Sequence, residues 1–166
     1  AQVAVDNALL LPYRRVKYRT IPQLISTDPP VVRVGQTEQQ ARRSHGAITV
    51  LQQAMASLPQ AQLEHKPVGQ CQLILSKRGT ILGAEAIGPN AQDWIGSLSW
   101  AIERRMTLQS MAKAWPHPAY GEVIMRLANQ WRRQRQPNWR RDSLELLLNW
   151  RRPITVFPFC KMKRCF

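Results

Sequence analysis

Acidic residues are scarce in this chain: ten, against 24 lysines and arginines, in 166 residues. Cysteine is scarcer still. The three thiols, Cys71, Cys160 and Cys165, make no disulfide framework, and their odd number fits a reducing, cytoplasmic compartment. No unbroken apolar run approaches the ~20 residues that a membrane span needs. The N-terminal A-Q-V-A-V-D-N has no basic stretch leading into an apolar core, so no secretory leader is expected. There is no internal repeat, no glycine-rich phosphate loop and no strand-linked G-x-G-x-x-G. No disulfide framework and no transmembrane helix are therefore expected. These absences also leave the chain without an evident nucleotide site of its own, and no metal site is expected.

What is present is enough for one domain with a real core. The apolar fraction is 44%, which argues against disorder, and 166 residues bury a substantial interior. The net charge of +14 is unevenly placed. From Trp131 to Phe166 ten basic residues stand against Asp142 and Glu145, a net of +8.

In chain order, residues 1–11 read as the end of a longer helix closed by Pro12. An alternating basic and apolar stretch, Y-R-R-V-K-Y-R, follows as an exposed strand or extended linker, with the compact domain starting near Val16. Val31–Val34 predicts a strand ended by Gly35. Thr37 with Gln40 three residues on is a capping-box pattern for a helix over Glu38–Ser44. Ala47–Gln52 is β-branched enough for a second strand. C-Q-L-I-L-S and T-I-L-G-A-E-A-I-G, joined through K-R-G, predict a hairpin at the centre of an antiparallel sheet, with its glycine in the left-handed region. Gly88-Pro89-Asn90 stops that strand, and Asn90 is placed to cap the next helix. Trp94, Ile95, Leu98, Ala101 and Ile102 recur at helical spacing, with Trp94 and Trp100 expected in a core or interface. Thr107 caps a short helix through Met111, and Val123, Ile124, Leu127 and Trp131 mark a last helical face. Strands and helices are segregated, so the class is α+β, an antiparallel sheet packed against helices.

One stretch carries chemistry: W-P-H-P-A-Y-G-E, Trp115 to Glu122. Pro118 keeps His117 out of the helical region and makes His117–Pro118 the foremost candidate for a cis peptide bond. With a helix starting at Ala119 or Tyr120, Glu122 falls in its first turn and its carboxylate reaches back to the imidazole. A carboxylate on one ring nitrogen fixes the tautomer and raises the basicity of the other, the arrangement of a general acid–base. The same spacing also fits a turn histidine followed by a glutamate that serves only the helix macrodipole.

Four segments, in order, resemble a known family. They are I-P-x-x-x-x-T-D-P-P-V-V-R-V-G-x-T-E-x-x-A at Ile21–Ala41, I-L-G-A-E-A-I-G-P-N-A at Ile81–Ala91, A-I-E-R-R-M-T-L at Ala101–Leu108, and H-P-A-Y-G-E at His117–Glu122. Together they look like the C-terminal dimerisation domain of the flavin-dependent pyridine nucleotide-disulfide oxidoreductases, the family of glutathione reductase, dihydrolipoamide dehydrogenase and mercuric reductase-like proteins. The resemblance covers about residues 1–136. It divides the chain into the end of a linking helix (1–15), a dimerisation domain (16–136) and a basic C-terminal extension (137–166).

The resemblance implies a homodimer, with an FAD domain and an NAD(P) domain before Ala1 in the same polypeptide and the redox cysteines inside the FAD domain. FAD and NAD(P)H would be cofactors of the full-length enzyme, and none is expected in the isolated domain. It implies that His117 crosses to the partner subunit as acid–base for its thiols, oriented by Glu122, and that His117 and Pro118 touch the flavin there. Where the family usually has threonine after the proline, this chain has Ala119, which removes a hydroxyl. His45 and His65 have no such context and are expected at the surface.

The extension is read separately. Asp142 can cap a helix whose Leu144, Leu147, Leu148 and Trp150 form an apolar stripe between arginine pairs. Such a helix packs back on its own protein or lies on an anionic membrane surface. Nucleic acid is the least favoured partner, because no groove-reading motif accompanies the charge. Cys160 and Cys165, at C-x-x-x-x-C spacing beside Lys161, Lys163 and Arg164, could pair as a disulfide, but two unrelated thiols is the favoured reading.

Overall fold

A computed structural model describes residues 2–9 and 20–135. The expected linker and the proposed domain start near Val16, the extension helix, Cys160 and Cys165 all lie outside the described residues. Contacts divide the chain into two units, 1–132 and 133–166. All that follows concerns the first unit, together with the end of its last helix.

The first helix, α1 (Gln2–Leu9), falls within the stretch 1–11 that the sequence marks as helical. Beyond the undescribed residues come β1 (Gln23–Ile25) and β2 (Val31–Gly35), followed by α2 (Glu38–His45) and β3 (Ile48–Ala54). A 3₁₀ turn and α3 (Pro59–Leu63) precede β4 (Gln70–Ser76) and β5 (Ile81–Ile87). The chain then turns helical: α4 (Ala91–Glu103), α5 (Leu108–Met111) and α6 (Glu122–Arg135). The five strands form one antiparallel sheet in the order β1-β2-β5-β4-β3. The class is α+β, and the β4–β5 hairpin is central, as expected from its sequence.

Period-two alternation sorts the sheet into two faces. Val34, Ala84, Leu73 and Leu51 stand in register across four strands, and all are buried. On the other face Gln23, Arg33, Glu85, Gln72 and Gln52 make a polar row across all five. The apolar face is covered by α4, whose Ala91, Trp94, Ile95, Leu98 and Ala101 are buried, and which packs on β2 and β5. Val123, Ile124, Leu127 and Trp131 of α6 join the same core. On the polar face, α2 covers one end through Ala41, where Ile74 is also buried.

The α2 capping box forms as read: Gln40 N–H donates to Thr37 Oγ1 and Thr37 N–H to Gln40 Oε1. Thr107 caps α5 in the same way, accepting from Ser110 N–H. The hairpin glycine, Gly79, has φ +82°, and a Cβ there would lie 2.6 Å from the Trp131 ring. The tight turn thus seats α6 as well as closing the hairpin.

Several expectations change. Asn90 precedes α4, but it is itself left-handed at φ 55° and its side chain makes no cap bond. It turns the backbone into the helix rather than satisfying it. Of the two tryptophans expected in a core or interface, Trp94 is in the core and Trp100 is 58% exposed at the surface, with the Arg104 guanidinium 5.3 Å from its ring centroid, a cation–π contact. Strand β1 and helix α3 were not expected. No helix among the described residues is long and apolar enough to cross a membrane.

Candidate active site

The His-Pro loop joins α5 and its following 3₁₀ turn to α6. The His117–Pro118 bond is cis, as anticipated, and Asp28–Pro29 is cis as well. Three successive bonds wind the chain into the helix: Glu122 N–H to Ala119 O, Val123 N–H to Tyr120 O and Ile124 N–H to Gly121 O. Each spans three residues, so this first turn is tighter than α. Helix α6 therefore begins at Glu122, two to three residues later than the sequence suggests. At 119 the backbone carbonyl closes the loop without a threonine hydroxyl.

Three neighbours fix the loop from below. A Cβ on Gly121 would fall 2.1 Å from Trp115 Cε3, so only glycine lets the indole ring lie against the turn. Tyr120 is buried, and its hydroxyl donates to Glu64 Oε2 at 2.9 Å, tying the loop to the end of α3. Burial, reinforced by the adjacent Glu64, pushes the Tyr120 phenol up to about 12. Hydrogen bonds from Gln60 and then Tyr120 hold the Glu64 carboxyl below its ordinary value.

On this platform His117 and Glu122 come together. The Nδ1 of His117 is 2.7 Å from Glu122 Oε2. The glutamate is 3% exposed, while the imidazole is 62% exposed. Nothing among the described residues hydrogen-bonds Nε2. The pair thus has a buried end that orients and an open end that can exchange a proton with another molecule. The second oxygen of Glu122, Oε1, accepts from Arg126 Nε at 3.0 Å. Reading the motif alone missed Arg126, although E-x-x-x-R at helical spacing signals that contact.

The remaining candidates do not join the site. His45 and His65 are exposed on other elements, as expected. Cys71 is fully buried in the core, and desolvation pushes its thiol up to about 12, so it is a packing residue. No group of three or more His, Cys, Asp or Glu among the described residues is arranged to hold a metal. A cavity of about 370 Å³ between β2 and α2 is lined by Arg33, Gln36 and Arg43 among others, and by no residue of the His-Pro loop.

For a flavin, the described residues offer an edge and not a cradle. Pro118 and the imidazole of His117 are exposed at the loop tip. That suits contact with a ring system held by another body. No glycine-rich turn at a helix start is present among them to receive a pyrophosphate.

The five-stranded antiparallel sheet and its helical cover define an α+β domain. The chain belongs to the pyridine nucleotide-disulphide oxidoreductase dimerisation-domain family, whose model matches residues 21–128. Among curated relatives, a dihydrolipoyl dehydrogenase of Geobacillus stearothermophilus is 36% identical over 115 residues, covering 68% of this chain and 24% of that one. A mercuric reductase of Staphylococcus aureus is 25% identical over 114 residues, 68% of this chain and 21% of its own. The structure of the HOCl-induced flavoprotein disulfide reductase RclA from Escherichia coli superposes with a TM-score of 0.66 at 24% identity. It covers 74% of this chain and 29% of that one. The chain spans about a quarter of the length of the curated relatives it matches.

Proposed function

We propose that this chain is the dimerisation domain of a FAD- and NAD(P)H-dependent disulfide oxidoreductase, and that it supplies His117 and Glu122 as an acid–base pair to the redox site of its partner subunit. The observation that carries the reading is the asymmetry of the pair. A buried carboxylate holds Nδ1 at 2.7 Å, while the imidazole is 62% exposed and Nε2 has no hydrogen-bond partner among the described residues.

The chemistry follows from proton balance. Reducing one disulfide to two thiols consumes two electrons and two protons, and exchange proceeds through a thiolate whose leaving sulfur must be protonated. Reduced nicotinamide and flavin, bound by domains outside this chain, supply the electrons as a hydride equivalent. Nε2 of His117 takes a proton from an attacking thiol and returns one to a leaving thiolate. Glu122 keeps the Nδ1–H directed inward, so that Nε2 is the nitrogen that carries the lone pair. Tyr120 and Trp115 hold the loop so that the imidazole does not have to be ordered when substrate arrives.

The test uses the longer protein with its flavin and nicotinamide domains. NAD(P)H-dependent disulfide reduction is compared between wild type and His117→Ala, with flavin content measured in both. Turnover should fall by roughly 10²- to 10⁴-fold with flavin retained, the usual worth of a positioned acid–base. Unchanged turnover would leave the domain as a dimeriser alone.

A further inference from the structure

The carboxylate at the foot of the His-Pro loop has two cationic partners, and they are not equivalent. Glu122 is 3% exposed. A carboxylate withdrawn from water to that degree needs a cation beside it, or it takes up a proton. Its Oε2 faces His117 Nδ1 at 2.7 Å, and its Oε1 accepts from Arg126 Nε at 3.0 Å. A guanidinium stays charged at every pH at which the protein is folded, whereas an imidazole gains and loses its proton near neutrality. Were His117 the sole partner, releasing its proton would leave Glu122 with one hydrogen bond and no counter-ion, which favours keeping the second proton on the ring.

We propose that Arg126 is a positioning residue for the His117–Glu122 pair: it is the standing counter-ion of Glu122, and it thereby frees His117 to cycle between its neutral and protonated forms. The inference rests on the acid–base reading of His117. Helix α6 delivers the contact, since Arg126 lies one turn beyond Glu122. The arginine side chain is 34% exposed, so its head reaches the carboxylate from the solvent side. The other ionisable groups of the loop are engaged elsewhere: Tyr120 donates to Glu64 on α3. Among the described residues, the charged partners of Glu122 are therefore His117 and Arg126.

The test reads the ring directly. In the ¹⁵N-labelled 166-residue chain, long-range ¹H–¹⁵N spectra report the protonation and tautomer of all three histidines, with exposed His45 and His65 as internal references. In wild type, His117 should carry its ring proton on Nδ1, the nitrogen that faces Glu122. Arg126→Met should convert it to the doubly protonated form. Arg126→Met with Glu122→Gln, which removes both charges, should return it to neutral. In the longer enzyme Arg126→Met should lower kcat about tenfold with KM unchanged, a fraction of the acid–base effect, and Arg126→Lys should recover most of it. Wild-type ring signals in Arg126→Met would overturn the proposal. If Arg126→Met fails to fold while the double variant folds, Arg126 is a structural counter-ion that the His117 ring does not replace, and the proposal falls. If both fail, Arg126 is a packing residue and the proposal falls. The ring signals do not depend on turnover, so an active His117→Ala enzyme would refute the acid–base reading without being mistaken for a failure of this one.

Discussion

Replacing Gly121 with alanine adds one methyl group at the most crowded point of the His-Pro loop. That methyl would sit 2.1 Å from Trp115 Cε3 and 2.2 Å from Cζ3, far inside contact distance. Gly121 does not have a positive φ, so backbone strain plays no part and the cost is steric. The indole is packed against the core and has little room to retreat. Overpacking of this kind costs about 1–3 kcal/mol. For a chain of this size each kcal/mol lowers Tm by about 2–4 °C. Urea and thermal unfolding of Gly121→Ala measure the loss. A double-mutant cycle with Trp115→Leu assigns it: with the ring gone, adding the methyl should be neutral, or slightly stabilising through the unfolded chain. The His117 ring signals should broaden or shift in the single variant, because Glu122 is the next residue. A Gly121→Ala chain as stable as wild type, with the same ring signals, would refute the claim that Trp115 holds the loop.

Two further outcomes follow from the ionisation of buried groups. Cys71, whose thiol is pushed up to about 12 by burial, should resist a thiol reagent in the native chain and react only on unfolding; labelling under native and denaturing conditions, read by mass spectrometry, checks this. Tyr120 keeps its proton to about 12 when folded, against an ordinary value of 10.0. The unfolded chain therefore holds fewer protons across that interval, so the stability contributed by Tyr120 is complete below about pH 10 and is lost as pH rises through about 12. Tyr120→Phe should flatten the alkaline slope of stability, measured by denaturation at stepped pH, and an unchanged slope would count against the buried Tyr120–Glu64 bond.

Much of this molecule is legible in its sequence where the signal is local. The capping box at Thr37, the K-R-G turn and the apolar face of α4 each depend on residues within a few positions of one another, and each forms as read. Strand β1 was missed because all three of its residues are exposed, leaving no alternation to detect; only its pairing with β2 makes it a strand. Helix α3 was missed because it is five residues long and lacks a side-chain cap, its one local signal being Pro59 at the start. Asn90 shows the limit of residue type: asparagine suits both a cap and a left-handed turn, and packing selects the second. The His117–Glu122 contact was within reach because five residues separate the pair. The support beneath it was not, since Tyr120 and Glu64 are 56 residues apart and nothing in the sequence brings them together.

Subunit complementation asks whether His117 works in its partner's redox site. Two versions of the longer enzyme are prepared, one with His117→Ala and one with its redox cysteines replaced by serine. Each homodimer alone should be nearly inactive. When the subunits are mixed and exchanged, a heterodimer pairs an intact cysteine site on one subunit with an intact His117 on the other. Disulfide reduction should return to roughly a quarter of wild type, since half of the dimers are mixed and each carries one complete site. No recovery, with heterodimer formation confirmed by native mass, would contradict it.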